Sequence, residues 1–202
     1  MELTTIDGRR TLFVMATTHE YGRHLRARFD PLVTGVGPVE AALATGVALG
    51  GLAAAGGLPD MVVSIGSAGS RRLALGSVWQ VASVSWHDMD ATRIGVAKGV
   101  TPFTDHPAEM PLAMPIAGLA AARLSTGANI VGGDDYDRID ADMVDMETFA
   151  VLRACQRFGV PLAGLRGVSD GPGELDALGG WTAMLEVLDE RLAAAVDRLT
   201  AA

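Results

Sequence analysis

The chain has 202 residues, a formal net charge of −8, 49% hydrophobic residues, 25 glycines and one cysteine. The negative balance argues against a nucleic-acid groove or an anionic membrane surface, and favours a small, neutral or mildly cationic partner. The lone Cys155 excludes an internal disulfide, and the polar opening MELTTIDGRR lacks a basic-then-apolar signal segment, so a soluble protein of the reducing cytoplasm is expected.

A chain of this size buries roughly 70% of its unfolded surface, and one domain over residues 1–202 is expected. Residues 11–16 (TLFVMA) read as a buried strand with Thr17-Thr18-His19-Glu20 at its carboxyl end. Glu20 then opens a basic helix, EYGRHLRARF; taken alone, a first-turn acid is an ordinary partner of the helix dipole. In TGVGPVEAALATG, Gly35 and Gly37 precede Pro38, a proline suited to the first position of a helix. The G-x-G-P pattern lacks the third glycine of a dinucleotide fingerprint. The Ala/Gly-rich run 41–58 is only marginally long for a membrane span and reads better as a buried helix with a Gly-Gly stop.

Residues 60–65 (DMVVSI) form the next buried strand and end in Gly66-Ser67-Ala68-Gly69-Ser70. Small residues there let backbone N–H groups approach a ligand oxygen, but no Gly-Lys-Ser/Thr follows, so this is not a phosphate loop. Residues 76–85 read as one or two strands, followed by Trp86-His87-Asp88-Met89-Asp90. The four histidines (His19, His24, His87, His106) show no ligand spacing and no G-x-S-x-G elbow exists. Structural roles are expected for them, with no metal and no cofactor. Residues 98–114 read as an irregular surface loop or interface arm, 115–124 as a short helix, and 125–131 (STGANIV) as a strand. The acidic run 134–142 lacks the order of a calcium loop and reads as solvated.

The stretch 144–170 reads as helix, short loop and buried strand. Glu147 falls in line with Val151, Ala154 and Phe158 on one helix face, where a carboxylate is costly unless paired. The strand 161–168 is apolar apart from Arg166 and ends in Ser169-Asp170. Because open α/β sheets bind ligands at the carboxyl ends of their strands, Glu147, Arg166 and Asp170 can meet at one pocket. Singly, each acid has a plainer reading, as a dipole partner or an N-cap; together they point to a site. Residues 181–199 form a terminal amphipathic helix packed on the sheet. Alternating strands and helices predict an α/β, single-domain, three-layer fold with a central mixed, mostly parallel sheet flanked by helices.

The segments ATTHE, TGVGPVEAALATG, VVSIGSAGS, HDMDAT, STGANIV, DMETFAVLRACQRFGVP and LRGVSD together resemble the nucleoside phosphorylase/nucleosidase superfamily. The resemblance is nearest to its 5′-methylthioadenosine/S-adenosylhomocysteine nucleosidases, and it implies a nucleoside phosphorylase-like fold acting on a small-molecule nucleoside with water as nucleophile. By that resemblance Asp170 protonates or hydrogen-bonds N7 of the purine, Ser169 orients Asp170, and Glu20 activates water. Met146 and Glu147 hold the ribose, Ser67 and Arg166 position the water and the Glu20 carboxylate, and Ala68 and Gly69 line the base pocket. Such chemistry suits an oxocarbenium-like sugar flanked by carboxylates.

The chain departs from the family where a GxGK motif reads Gly35-Val36-Gly37-Pro38, where a hairpin after the first helix is missing, and where the base-stacking aromatic is replaced near Asn129 or Ile130. The family is commonly dimeric, with a neighbour's loop closing the 5′ pocket; Pro102 and Phe103 are the candidates for that loop, and a homodimer is expected. Superfamily phosphorylases place an arginine before the Gly-Ser turn, where this chain has Val63-Ser64-Ile65, so hydrolysis is favoured. A phosphorylase, a hydrolase of another nucleoside and a non-catalytic nucleoside-binding protein remain the alternatives, with a dinucleotide-dependent oxidoreductase as a fold-level one.

Overall fold

A computed structural model describes residues 2–171 and 181–200. Strands β1 (Thr4–Ile6), β2 (Arg9–Met15), β3 (Leu32–Val33), β4 (Met61–Gly69), β5 (Val78–Trp86), β6 (Glu109–Pro111), β7 (Ala121–Thr126), β8 (Met143–Asp145) and β9 (Leu162–Asp170) join in one mixed sheet. Helices α1 (Arg23–Arg26), α2 (Pro38–Ala54), α3 (Thr148–Phe158) and α4 (Leu185–Asp197) flank it. Strand β4 runs parallel to β2 and to β9, while β9 runs antiparallel to β5. Strand β5 continues parallel to β7, β7 parallel to β8, and β8 returns antiparallel to β4 at Gly69. Backbone pairing therefore runs in a closed circuit from β4 through β9, β5, β7 and β8.

The two sides of the sheet follow from the two-residue period of its strands. In β2, Leu12 and Val14 pack toward one layer with Ala41 and Leu49 of α2 and Val151 and Cys155 of α3. Phe13 and Met15 point the other way, toward Leu25 of α1 and Leu188, Leu192 and Val196 of α4. Each fully buried Leu or Phe contributes about 1.5–3 kcal/mol, so these faces fix the register of the strands. Helix α3 ends at Gly159, whose positive φ of 68° lets its N–H close on the carbonyls of the last turn.

Several expectations are corrected. The basic helix expected from Glu20 is a 3-10 turn, Thr18–Glu20, followed by the single turn of α1. The Asp189 carboxylate of α4 caps it by accepting from the N–H groups of His24 and Leu25, and the chain then turns so that Phe29 stacks on Phe13 at 3.8 Å. Residues 115–124 do not form a helix. Gly118 takes a positive φ of 73° and the chain enters β7, where Ala122 and Leu124 alternate inward. The strand expected over 125–131 stops at Thr126, where its pairing partner β8 ends at Asp145 and the Gly127 N–H makes a last bond to the Asp145 carbonyl. The acidic run contains the 3-10 turn Gly133–Arg138, pinned by a buried Tyr136. Helix α2 buries only Ala41, Thr45 and Leu49, while Val39, Leu43 and Val47 on its other face are 75%, 61% and 69% exposed. Among the described residues no helix is long and apolar enough to cross a membrane.

Candidate active site

The carboxyl ends of β2, β4 and β9 open into a cavity of about 400 Å³, closed by residues around β8 and by Trp181. Glu20 reaches it from the turn after β2. Thr17 caps that turn by accepting the His19 N–H, which leaves Glu20 facing inward and only 8% exposed. Its Oε1 accepts from the Ser67 N–H at 2.8 Å and from the Ser67 hydroxyl at 2.5 Å. Its Oε2 lies over Gly66, where a Cβ would come within 2.9 Å of it. Burial pushes the Glu20 carboxyl above its ordinary value, against the opposing pull of the Ser67 donors and the charge of Arg166.

Asp170 ends β9 on the same cavity. The Ser169 hydroxyl donates to its Oδ1 at 2.5 Å, and burial raises its proton affinity despite that bond. Glu147 precedes α3 and accepts from the Gly37 N–H at 2.8 Å. Gly37 takes a φ of 98°, a conformation open to glycine, and so delivers its N–H to the carboxylate at the first turn of α2. Burial, followed by the nearby charge of Asp145, pushes Glu147 up to about 7.

Arg166 lines the cavity without a hydrogen bond to Glu20, acting on it only through charge. Its guanidinium is spent on Asp145, with Nη2 2.8 Å and Nε 3.1 Å from Oδ2. Nη2 also donates to Ser64 Oγ and Thr148 Oγ1, and Nη1 to the Leu165 carbonyl. Asp145 in turn accepts from Thr126 Oγ1 at 2.6 Å, and from the Thr148 N–H and hydroxyl. This pair is almost wholly buried, with side-chain exposures of 3% and 1%, and further hydrogen bonds support both partners, as a buried ion pair requires.

Asp170, Glu20, Ser169, Arg166, Met146, Glu147, Ser67, Ala68, Gly69, Asn129 and Ile130 all line this one cavity. Phe103 does not; it sits fully exposed on its loop with a positive φ of 59°. His87 meets the Ser125 hydroxyl at 3.1 Å, and the Asp88 carboxylate accepts from the Ala128 N–H.

Three residues were missed from sequence. Asp145 is the partner that the single arginine of an apolar strand demands, and that demand was the available signal. Trp181 donates its indole N–H to Ser67 Oγ at 2.9 Å; nothing in the sequence ties a terminal-helix tryptophan to a β4 serine. Tyr136 lies behind Val131 and Val144, and its buried hydroxyl has no hydrogen-bond partner among the described residues. Both that hydroxyl and Asp170 Oδ2 crowd Gly69, where any side chain would displace them.

A profile described as the phosphorylase superfamily matches residues 113–201. The 5′-methylthioadenosine/S-adenosylhomocysteine nucleosidase of Actinobacillus succinogenes is 35% identical over 162 residues, covering 71% of this chain and 68% of that one. Among solved structures, the nucleosidase of the same name from Neisseria meningitidis, in complex with methylthio-immucillin-A, superposes with a TM-score of 0.77 at 22% identity, over 95% of this chain and 99% of that one. The futalosine hydrolase of Helicobacter pylori gives 0.78 at 20% identity, over 95% and 97%. The two structures share the fold, and the Actinobacillus relative is near enough in sequence to place the chain more narrowly: it belongs to the 5′-methylthioadenosine/S-adenosylhomocysteine nucleosidase family.

Proposed function

We propose that this protein hydrolyses the N-glycosidic bond of a purine nucleoside, with 5′-methylthioadenosine as the substrate, giving adenine and methylthioribose. The observation that carries the reading is that two carboxyl groups of raised proton affinity, the buried Glu20 and the half-buried Asp170, line one cavity. Asp170, steadied by Ser169, donates its proton toward N7 as the bond from the sugar to the base breaks, so the base leaves neutral. Glu20 takes a proton from the water that adds to the sugar carbon. Glu147 and Met146 hold the ribose hydroxyls, and Ala68, Gly69, Asn129 and Ile130 surround the base. The two Ser67 donors and the charge of Arg166 favour the ionised form of Glu20, whereas Ser169 alone does so for Asp170, which divides the base and acid work.

Water is favoured over phosphate by charge. Arg166 is the one basic residue lining the cavity among the described residues, and Asp145 neutralises it, while Glu20, Glu147 and Asp170 add further acids. A phosphate would enter without a free cation to receive it. The deciding measurement is adenine release from 5′-methylthioadenosine with and without phosphate. Free methylthioribose in phosphate-free buffer is expected; a strict need for phosphate and a sugar 1-phosphate product would make this a phosphorylase instead. The futalosine hydrolase fold match keeps a second nucleoside on the substrate panel.

We further propose that the chain, one domain over residues 1–202, works as a homodimer in the cytoplasm. The exposed apolar face of α2 supports this: Val39, Leu43 and Val47 run along it, and Val36 at its start both lines the cavity and is 57% exposed. In such a dimer the exposed Phe103 is the candidate to close the neighbour's pocket, as the family resemblance implies. Leu43→Glu is expected to shift the protein to a monomer in sedimentation velocity, with loss of activity.

A further inference from the structure

Trp181 stands outside the roles assigned so far, yet it is the third member of a hydrogen-bonded chain that ends at Glu20. Its Nε1 donates to Ser67 Oγ at 2.9 Å, and Ser67 Oγ is 2.5 Å from Glu20 Oε1. The direction of this chain is fixed by donor inventory. An indole N–H only donates, whereas a serine hydroxyl has one proton and two acceptor sites. With Trp181 occupying an acceptor site, the Ser67 proton points to Glu20. Oε1 then receives two donors, the Ser67 hydroxyl and the Ser67 N–H. Oε1 is thereby saturated, which leaves Oε2, over Gly66, as the oxygen that faces a reactant.

From this we infer that Trp181 is a positioning residue for the water-activating carboxylate: through Ser67 it holds Glu20 with Oε1 as acceptor and Oε2 free. The inference rests on the proposed role of Glu20 and adds to it which oxygen works and what sets it. The other charged groups acting on Glu20 are Arg166 of β9, Asp145 of β8 and Glu147. None of them is changed by substitution at Trp181, nor is His19, whose ring centroid lies 6.4 Å from that of Trp181; because Trp181 also lines the cavity, the S67A background is what separates the Ser67 link from a change in burial.

The test compares the full-length protein with W181F, S67A and the double variant in the hydrolysis of 5′-methylthioadenosine across pH. Phenylalanine keeps an aromatic wall, though a smaller one, and removes the donor, and the S67A background separates the two effects. With one hydrogen bond lost, W181F is expected to lower kcat about tenfold with KM within about twofold. The acid limb of the profile should move to higher pH, and W181F should add nothing in the S67A background. A rise in KM alone, or equal losses with and without Ser67, would reduce Trp181 to a wall and overturn the inference. A second readout is independent of turnover: the indole ¹⁵N–H resonance of Trp181, identified by its loss in W181F among the three tryptophans. It should follow the titration of Glu20 in the wild type and cease to do so in both E20Q and S67A. A resonance indifferent to both substitutions overturns the link whatever the activity. A coupled resonance in a protein that releases no base from any nucleoside would retain the link and discard the hydrolytic reading.

Discussion

At the level of single residues, the site divides into groups that would touch the reactants and groups that hold them. Asp170→Asn is nearly isosteric and removes the titratable proton, so kcat should fall by about 10²–10⁴-fold, the usual worth of a general acid, with an unchanged fold by circular dichroism. Near-normal turnover in a folded Asp170→Asn protein would remove the acid from the base side. The wild-type pH profile should be bell-shaped, since Glu20 must be ionised and Asp170 protonated, and burial raises both. Asp145 is a different kind of residue. Its carboxylate joins Arg166, Thr126 and Thr148 out of contact with water. Asp145→Asn leaves the guanidinium buried without its counter-charge, and a loss of about 3–5 kcal/mol in urea denaturation is expected. Asp170, Glu20 and Glu147 were legible in the sequence because an acid at a strand end or on an apolar stripe is locally anomalous. Asp145 escaped because its partner is 21 positions away and joined to it only through the fold. Tyr136 escaped because it stands in an acidic run that reads as wholly solvated.

At the level of elements, the apolar strand runs, the helix-start signal at Pro38 of α2 and the apolar stripe of α3 carried most of the architecture, because each pattern agrees with its burial. The failures fall where tertiary contacts outweigh local pattern. The residues after Glu20 have a helical composition, yet Asp189 and the Phe13–Phe29 stack hold them to one turn. Residues 115–124 contain alanines and leucines suited to a helix, but a place beside β5 draws them into β7. The α2 pattern is apolar nearly all round, so it gave no indication that one face would remain exposed. Strand β4 shows how closely an element can be matched to the site it carries. Its Gly66 leaves room for Oε2 of Glu20, and a methyl group there would intrude to 2.9 Å. Gly66→Ala is therefore expected to displace the carboxylate and reduce kcat by about tenfold or more, since small misplacements of a catalytic group are costly. Its thermal stability should change by much less than that of Asp145→Asn, and an unaltered kcat would show that Glu20 works from another position.

Across the molecule, buried acids make stability and function answer to the same proton. Glu147 moves from an ordinary 4.5 to about 7 on folding, so the folded state binds the extra proton between those values. The stabilisation is present below about pH 4.5 and is lost as pH rises through about 7. Glu20 and Asp170 act in the same direction. The urea midpoint should therefore drop between pH 5 and 7, and Glu147→Gln should flatten that slope; an equal slope in the variant would assign it elsewhere. The closed circuit of strands has a further consequence, for the order in which the chain is made. Strand β9 lies beside β4, with Arg166 bonded to Ser64 across 102 positions of sequence, and it carries Asp170 to the cavity. While a ribosome is still extending the chain, β4 and β5 have emerged but their shared neighbour has not. Their apolar edges wait without that neighbour until β9 emerges, a state prone to mispairing. A nascent chain halted before β9 would hold Glu20 without Asp170, and thus no working site, so base-releasing activity should appear only after β9 has left the ribosome.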